Sequence, residues 1–220
     1  MLLNFFENKS RKPKERSNLL KSNKIIHYSK DYKSFGFDYF DNENSIVGYG
    51  GYKYDGRFSN SVKRMIDHYK LKKNSKVLEV GCAKGYILKE FHDQKMHVYG
   101  LDYSKYAIQN SHQDIKSKLV QWDIRKKTSY PDNYFDLVYC KEVLPHLPSK
   151  DISSILNEFN RISKNKKSIF IEIQTSKTSE GLRLINKWDP THKSLFLKKD
   201  WINLFKKNNY QGDYYFKNLI

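Results

Sequence analysis

Three small residues at alternate positions form the most informative pattern in the chain. Gly81, Ala83 and Gly85 follow the apolar run KVLEV and precede a helical stretch that starts near Tyr86. A strand, a glycine turn and a helix in this order are typical of a nucleotide-binding loop. The dinucleotide pattern G-x-G-x-x-G is not met, because the spacing is tighter and alanine stands at the middle position. Glu79 would repel a pyrophosphate, so the loop favours a cationic ligand.

A second acidic residue, Asp102, follows the loop at about the interval expected of a carboxylate that binds a ribose. Such a carboxylate can accept hydrogen bonds from two ribose hydroxyls. Ligands of open parallel sheets bind beyond the carboxyl ends of the strands, near the point where the strand order reverses. We therefore expect the loop, Asp102 and the end of the fourth predicted strand to surround one crevice. The alternatives are an ordinary tight turn and a helix-capping carboxylate.

Two histidines are candidate proton acceptors. His146 lies just past the fourth predicted strand, and His192 lies in the stretch WDPTHKSLF. The ordinary imidazole pKa of about 6.5 suits a base that works near neutrality. The alternatives are a loop histidine that binds a backbone carbonyl and a turn that starts at Asp189 and Pro190. A metal site that adds Glu142 to these residues matches no ligand spacing that we can defend, so we predict none.

Alternating strands and helices must position these residues. The helical spacing of Val62, Met65, Ile66 and Tyr69 predicts a helix ahead of the first strand. The runs KVLEV, HVYGL, KLVQ, FDLVYC and SIFIEI predict strands, and the tail predicts a helix, a turn at Gly212 and a last strand. Strands that alternate with helices form right-handed βαβ units and a parallel sheet.

These runs and the last strand number six, and the fold class that we predict is α/β, with a doubly wound, mostly parallel, seven-stranded sheet and helices on both faces. Residues 1–57 lack sustained periodicity and are predicted to form a helical and loop extension, with its clearest helix from Leu19 to Tyr28. Residues 58–220 are predicted to form the main domain. The spacing of the apolar residues after the fourth strand predicts a long amphipathic helix, with Ile152, Ile155, Leu156, Phe159 and Ile162 on its buried face.

Composition bounds the function only loosely. A net charge of +17 over 220 residues is read either as a footprint for an anionic partner or as a compositional bias toward lysine. We expect no membrane span, since no apolar run approaches about 20 residues. The two cysteines, Cys82 and Cys140, indicate no disulfide framework, so a cytoplasmic location is expected.

The pattern E-x-G-x-A-x-G, with its downstream aspartate, resembles the first motif of class I S-adenosylmethionine-dependent methyltransferases of the small-molecule bacterial type. The resemblance runs from about Phe58 to the C-terminus. It implies S-adenosyl-L-methionine as cofactor, S-adenosyl-L-homocysteine as product, and an adenine-contacting segment in VQWDIRK. The cofactor-binding residues that it implies are Glu79, Gly81, Ala83, Gly85, Asp102, Tyr103, Trp122, Asp123, Ile124 and Cys140, with Arg57 on the methionine carboxylate.

The same resemblance implies a lid and an acceptor side. The glycine-rich segment GYGGYKYDGRF carries Tyr49, Tyr52 and Tyr54 and is predicted to close over the cofactor and exclude water. Glu142 and Asp189 are predicted on the acceptor side, with His192 and His146 as catalytic residues. A tyrosine-rich surface loop is the alternative to the lid.

The predicted activity is transfer of a methyl group to a small polar acceptor, of sugar or nucleotide-sugar type, with O-methylation favoured over N-methylation. We predict a monomer or a homodimer. An RNA methyltransferase is the first alternative, but an N-P-P-Y-type tetrapeptide is replaced by Tyr139-Cys140-Lys141-Glu142 after the fourth strand. A non-catalytic cofactor-binding scaffold is the second.

Overall fold

One parallel sheet organises the chain. The computed structural model describes residues 2–6, 13–22 and 25–218. Its strands lie in the order β3-β2-β1-β4-β5-β6, and every neighbouring pair is parallel. The order reverses between β1 and β4, which sets the predicted crevice at their carboxyl ends. The strands are β1 (Lys76–Val80), β2 (His97–Asp102), β3 (Leu119–Gln121), β4 (Leu137–Lys141), β5 (Ile169–Gln174) and β6 (Asp213–Lys217).

The predicted α/β class and parallel sheet are confirmed, but the predicted number of seven strands is wrong. The part of the chain that the structure describes forms six strands. The last strand, β6, pairs directly with β5, so no further strand lies between them. The connection between β5 and β6 is mostly helical, and its one extended contact is an isolated bridge between Ser176 and Leu197.

The helices follow the predicted alternation. Helix α5 starts at Tyr86 as expected, and Ser104 caps α6 by accepting a hydrogen bond from the Ala107 amide at 2.9 Å. Beyond these, short 3₁₀ turns cover Gln113–Lys118 and Leu144–His146. The helices are α1 (Pro13–Lys21), α2 (Lys30–Lys33), α3 (Phe37–Phe40), α4 (Ser59–Tyr69), α5 (Tyr86–Asp93), α6 (Lys105–Gln109), α7 (Ser149–Ile162), α8 (Ser179–Trp188) and α9 (Lys198–Lys207).

Two apolar layers cover the two faces of the sheet. Alternate residues of β4 point to opposite sides, with Leu137 in one layer and Val138 in the other. Helices α4 and α5 and residues 2–6 contribute to the first layer, and α7 and α9 to the second. The predicted apolar face of α7 is buried throughout. This double covering explains why the central strands β1, β4 and β5 are mostly apolar.

The N-terminal extension packs over the carboxyl ends of the strands. The predicted helix from Leu19 to Tyr28 is wrong: α1 ends at Lys21, and residues 25–29 are not helical. Tyr28 instead donates its hydroxyl hydrogen to the backbone carbonyl of Trp188 at 3.1 Å. The two residues are far apart in the sequence, so local periodicity cannot predict this contact. Across the described ranges, no helix combines the length and apolarity that a membrane crossing needs.

Candidate active site

Backbone hydrogen bonds fold the glycine loop onto β2. The amides of Gly81 and Cys82 both donate to the Leu101 carbonyl, at 2.7 and 3.1 Å, and the Gly85 amide closes the turn onto the Cys82 carbonyl at 2.7 Å. Gly81 has a φ of +76°, and a Cβ there would lie 2.0 Å from Cγ2 of Val143. Both the conformation and the space therefore require glycine at position 81.

Asp102 receives the loop in a way that leaves room for a ribose. Its Oδ2 accepts the Ala83 amide and its Oδ1 accepts the Ser104 amide, each at 2.7 Å. Each oxygen keeps a second lone pair, so the carboxylate can still accept two hydroxyls. Burial raises the pKa of Asp102 to about 6. Ala83 adopts a φ of +48°, so the alanine takes the left-handed conformation that glycine would take more easily.

Glu79 is a buried carboxyl group that could bind a cation. Its side chain is buried, and Oε2 has no partner at ordinary hydrogen-bond geometry within the described part of the chain. Burial raises the pKa of this carboxyl well above its ordinary value, although the buried Tyr139 hydroxyl lies close enough to lower that pKa in part. An ammonium placed against Glu79 would supply the missing partner. The loop chemistry therefore fits the methionine end of S-adenosylmethionine, which Glu79 would hold by its ammonium while Asp102 holds the ribose.

The predicted adenine segment lies beside Asp102. The Trp122 amide donates to the Asp102 carbonyl at 2.8 Å, and Ile124 is buried. The Asp123 carboxylate is bound by the Arg125 guanidinium, with 2.9 Å between Nε and Oδ1, which lowers the pKa of Asp123. A contact between Asp123 and an adenine amino group would have to share that carboxylate. Tyr103 is 58% exposed next to Asp102.

Three predicted cofactor or lid residues have other surroundings. Arg57 is exposed, and its Nε donates to Oδ1 of Asp55 at 2.7 Å, so a bond to the methionine carboxylate would require this pair to open. The Tyr54 hydroxyl donates to Glu90 at 2.9 Å on the outer side of α5. The Cys140 thiol is fully buried in the apolar layer under α7, so only its backbone is available to a cofactor.

Of the other two lid tyrosines, Tyr52 is buried and Tyr49 is half-buried, and their rings pack together beside the loop. The ring of Tyr49 lies 4.4 Å from that of Tyr52, which in turn lies 4.6 Å from the ring of Tyr86. Burial raises the pKa of Tyr49; the nearby Lys141 opposes this rise, and Glu142, Asp102 and Glu79 add to it.

An ion pair between Lys84 and Asp41, which the sequence does not indicate, connects the N-terminal extension to the glycine loop. The Lys84 ammonium is buried and lies 2.7 Å from Oδ1 of Asp41, and it also donates to the Tyr52 carbonyl at 3.2 Å. The Tyr106 hydroxyl donates to the same aspartate at 2.6 Å. Lysine in a turn and aspartate in an irregular segment carry no pattern of their own, so only the tertiary structure identifies this pair.

Three of the four predicted acceptor-side residues, His146, Asp189 and His192, come together in one cluster. Nδ1 of His146 lies 2.8 Å from Oγ1 of Thr191, and Oδ1 of Asp189 accepts both the Thr191 hydroxyl at 2.6 Å and its amide at 3.0 Å. The Tyr39 hydroxyl donates to Oδ2 of Asp189 at 3.2 Å. The imidazole of His192 stacks on that of His146, with 4.4 Å between ring centroids. Tyr39 and Thr191 are the residues of this cluster that the sequence analysis missed.

Burial keeps both imidazoles neutral near pH 7. It lowers the pKa of His192 to about 4, with a further contribution from His146, and it lowers the pKa of His146 as well. Neutral imidazoles can accept a proton. His192 is only 8% exposed, and its Nδ1 has no hydrogen-bond partner in the described structure.

His146, Asp189 and His192 could also be considered as metal ligands, since their ligating atoms lie within 4.8 Å of one another. Both oxygens of Asp189 already accept hydrogen bonds, three in all, from Thr191 and Tyr39. The carboxylate is therefore arranged as a hydrogen-bond acceptor. Glu142, the fourth residue considered, is held elsewhere between Lys141, at 3.2 Å, and Lys217.

The comparisons with known proteins agree with this geometry. Residues 78–171, less than half of the chain, match a family described as a methyltransferase domain. Phosphoethanolamine N-methyltransferase of Triticum aestivum is 31% identical over 99 residues, which are 41% of this chain and 19% of that protein. The chain thus spans about a fifth of the length of the curated relatives it matches.

Solved structures share the fold at low sequence identity. A SAM-dependent methyltransferase from Archaeoglobus fulgidus has a TM-score of 0.56 and 23% identity, over 68% of this chain and 66% of that one. The [4+2]-cyclase SpnF has a TM-score of 0.53 and 16% identity, over 69% of this chain and 57% of the cyclase chain. Residues 78–171 thus match a methyltransferase domain, as the loop motif predicts, and the fold is shared with a SAM-dependent methyltransferase; S-adenosylmethionine is the cofactor that the site chemistry fits.

Proposed function

We propose that the protein transfers the methyl group of S-adenosylmethionine to a small polar acceptor that lies against His146 and His192. The single observation that carries this proposal is the stacked pair of neutral imidazoles, His192 buried and His146 half-buried, in the cluster that also holds Asp189, an arrangement suited to removing a proton. When bound, the cofactor supplies a methyl group on a cationic sulfur. The protein positions the reactants and takes the proton of the acceptor.

A hydroxyl of a sugar or nucleotide-sugar acceptor is our first candidate for the methylated group. Half-buried tyrosine rings and short polar side chains, such as Tyr49 and Thr191, suit a ligand with several hydroxyls. A second candidate is a small amine, because the relatives from Triticum aestivum are named for the methylation of phosphoethanolamine nitrogen. A neutral histidine can take the proton in either case.

We propose that residues 1–57 act as the lid of the domain formed by residues 58–220. Asp41 binds Lys84 of the cofactor loop, while Tyr39 binds Asp189 of the acceptor cluster. The extension thus contacts both reactant sides at once, as an element that excludes water from the reaction would. A cytoplasmic location is also proposed, and it is supported by the two free, buried cysteines.

The decisive experiment is a methyl-transfer assay on a panel of acceptors. Purified protein would be incubated with S-adenosylmethionine and nucleotide sugars, free sugars, phosphoethanolamine or bulk RNA, and S-adenosylhomocysteine formation measured. We expect turnover with one of the small polar acceptors, loss of turnover in His146→Asn, and normal turnover in His97→Asn, since His97 is an exposed residue at the opposite end of β2. Turnover on RNA alone, with a steep salt dependence, would replace the proposal.

A further inference from the structure

The hydrogen bonds around Thr191 determine which nitrogen of His146 carries a proton. Oδ1 of Asp189 lies 2.6 Å from Oγ1 of Thr191, and an ionised carboxylate can only accept, so Thr191 must donate its single hydroxyl hydrogen there. Toward Nδ1 of His146, at 2.8 Å, the same oxygen can then only accept. Nδ1 therefore carries the hydrogen, and a neutral His146 keeps its free lone pair on Nε2.

We propose that Asp189 and Thr191 are positioning residues that hold His146 in the Nδ1–H tautomer, so that Nε2 takes the acceptor's proton. This inference deepens the proposed function and rests on it. The acceptor oxygen forms a bond to the methyl carbon as its proton moves to Nε2, and the electrons of the broken carbon–sulfur bond remain on sulfur. His146 later releases the proton to solvent.

The surroundings single out His146 over His192 as the base. Nδ1 of His192 is buried without a hydrogen-bond partner in the described structure, whereas Nδ1 of His146 is bound by Thr191. The ring of His146, in contrast, is held on three sides: Thr191 binds its Nδ1, His192 stacks on one face, and the edge contact with Phe35 has a centroid distance of 5.6 Å. His192 thus restricts the orientation of the His146 ring by stacking on it. This reverses the order of the two predicted catalytic residues.

The relay also brings the N-terminal extension into the catalytic unit. Tyr39 lies in α3, and its hydroxyl donates to Oδ2 of Asp189 at 3.2 Å. Phe35, from the same segment, touches the His146 ring, and its backbone carbonyl accepts the Ser104 hydroxyl beside Asp102. Closure of the extension therefore completes the chain of hydrogen bonds from Tyr39 to His146. Proton removal would be efficient only with the extension in place.

Nitrogen-15 NMR of the imidazole rings tests the tautomer without any turnover. The chain has seven histidines, and the signals of His146 are identified by their loss in His146→Gln. We expect Nδ1–H for His146 in the wild type and in Thr191→Ser, and a mixed or Nε2–H state in the near-isosteric Thr191→Val. His68 is an internal reference of the opposite kind, because its Nε2 lies 2.8 Å from the carboxylate of Asp213 and must donate in every variant.

Kinetics then tests the role of the tautomer. Thr191→Val and Asp189→Asn should lower kcat by about 10- to 100-fold, with the KM for the acceptor and the Kd for S-adenosylhomocysteine within about threefold of the wild type. Thr191→Ser should restore kcat. Thermal unfolding identifies any variant that fails to fold, in which case the remaining ones decide.

Three results would overturn the inference. The first is an Nε2–H signal for His146 in the wild type, and the second is a Thr191→Val variant with unchanged tautomer and kcat. The third is stoichiometric Co²⁺ binding that shifts both His146 and His192, which would make the cluster a metal site. Absence of turnover on every acceptor, together with the expected tautomer, would instead count against the proposed function alone.

Discussion

The cofactor side and the acceptor side of this site are built in different ways. On the cofactor side, backbone groups make the contacts over short sequence distances, as in the bond from the Ala83 amide to Asp102, 19 residues away. On the acceptor side, side chains make them over long distances: Tyr39 and Asp189 are 150 residues apart. The first arrangement depends on strand and turn geometry, and the second on how the extension packs.

This difference explains how one fold can serve many acceptors. A loop set by backbone hydrogen bonds changes only if φ angles and strand pairing change with it. A cluster of side chains from distant segments can be altered one residue at a time while the cofactor loop stays the same. The likeness of the fold to both a methyltransferase and the cyclase SpnF is consistent with such a division.

The largest effect is expected from adding one methyl group on the cofactor side. Gly81→Ala puts a Cβ 2.0 Å from Cγ2 of Val143 at a φ of +76°. We expect a loss of about 3 kcal/mol in the free energy of unfolding and loss of detectable cofactor binding. Ala83→Gly is the matched control, since it relaxes a left-handed alanine in the same loop and should change stability by less than about 1 kcal/mol. Equal effects of the two would mean that backbone geometry does not govern this side.

A similar loss of stability, without loss of the cofactor loop itself, is expected where the two sides are tied together. Lys84→Met leaves Asp41 half-buried without its cation and should lower the free energy of unfolding by about 3 kcal/mol. Amide hydrogen exchange should accelerate over residues 37–52 and remain slow in α7. Lys53→Met, which removes a fully surface-lying pair with Glu43, should change stability by less than about 0.5 kcal/mol. Unchanged exchange over 37–52 in Lys84→Met would contradict the lid.

Cofactor affinity should depend on pH through Asp102. Its pKa of about 6 lies above the ordinary value, so ionisation costs the free protein stability as pH rises through 6. Ribose binding needs both oxygens as acceptors, so affinity should fall as pH decreases below 6, approaching about tenfold per pH unit. Calorimetry between pH 5 and 8 measures this. Asp102→Asn should bind weakly at every pH, and a slope that survives in that variant would assign the titration to another group.

The smallest effect is expected at Arg57. Its guanidinium is exposed and paired with Asp55, so Arg57→Ala should change the Kd for S-adenosylhomocysteine by less than about threefold. A loss of tenfold or more would show that the pair opens and that Arg57 binds the methionine carboxylate, as the resemblance implies. That result would extend the cofactor side into the extension.

The same contrast determines what could be predicted from the sequence. The strands, α5, the cap at Ser104 and the loop were predictable, because apolar periodicity and turn residues are local signals. The end of α1 before Tyr28 was not predictable, because the tertiary contact of Tyr28 overrides local preference. The predicted seventh strand has no apolar run of its own in the sequence, and β6 pairs directly with β5.

The acceptor side was predictable in its residue types but not in its connections. His146, Asp189 and His192 attract notice as chemically capable residues. Thr191 joins His146 to Asp189, a tertiary contact that the residue types do not indicate. Tyr39 also binds Asp189, and this contact depends on the packing of the extension. Helix α8, which precedes Asp189, has an N-cap at Thr178 and an amphipathic pattern, and both are local signals from which a helix can be predicted.

Calorimetric titration with S-adenosylhomocysteine tests the central claim most directly, with wild type, Asp102→Ala and His146→Asn compared. The account predicts binding at about micromolar Kd by the wild type, loss of binding in Asp102→Ala, and a Kd within about threefold of the wild type in His146→Asn. The two sides would then be separable. Failure of the folded, cofactor-free wild type to bind would contradict the account and make Ala83 the mark of a loop that no longer holds a cofactor.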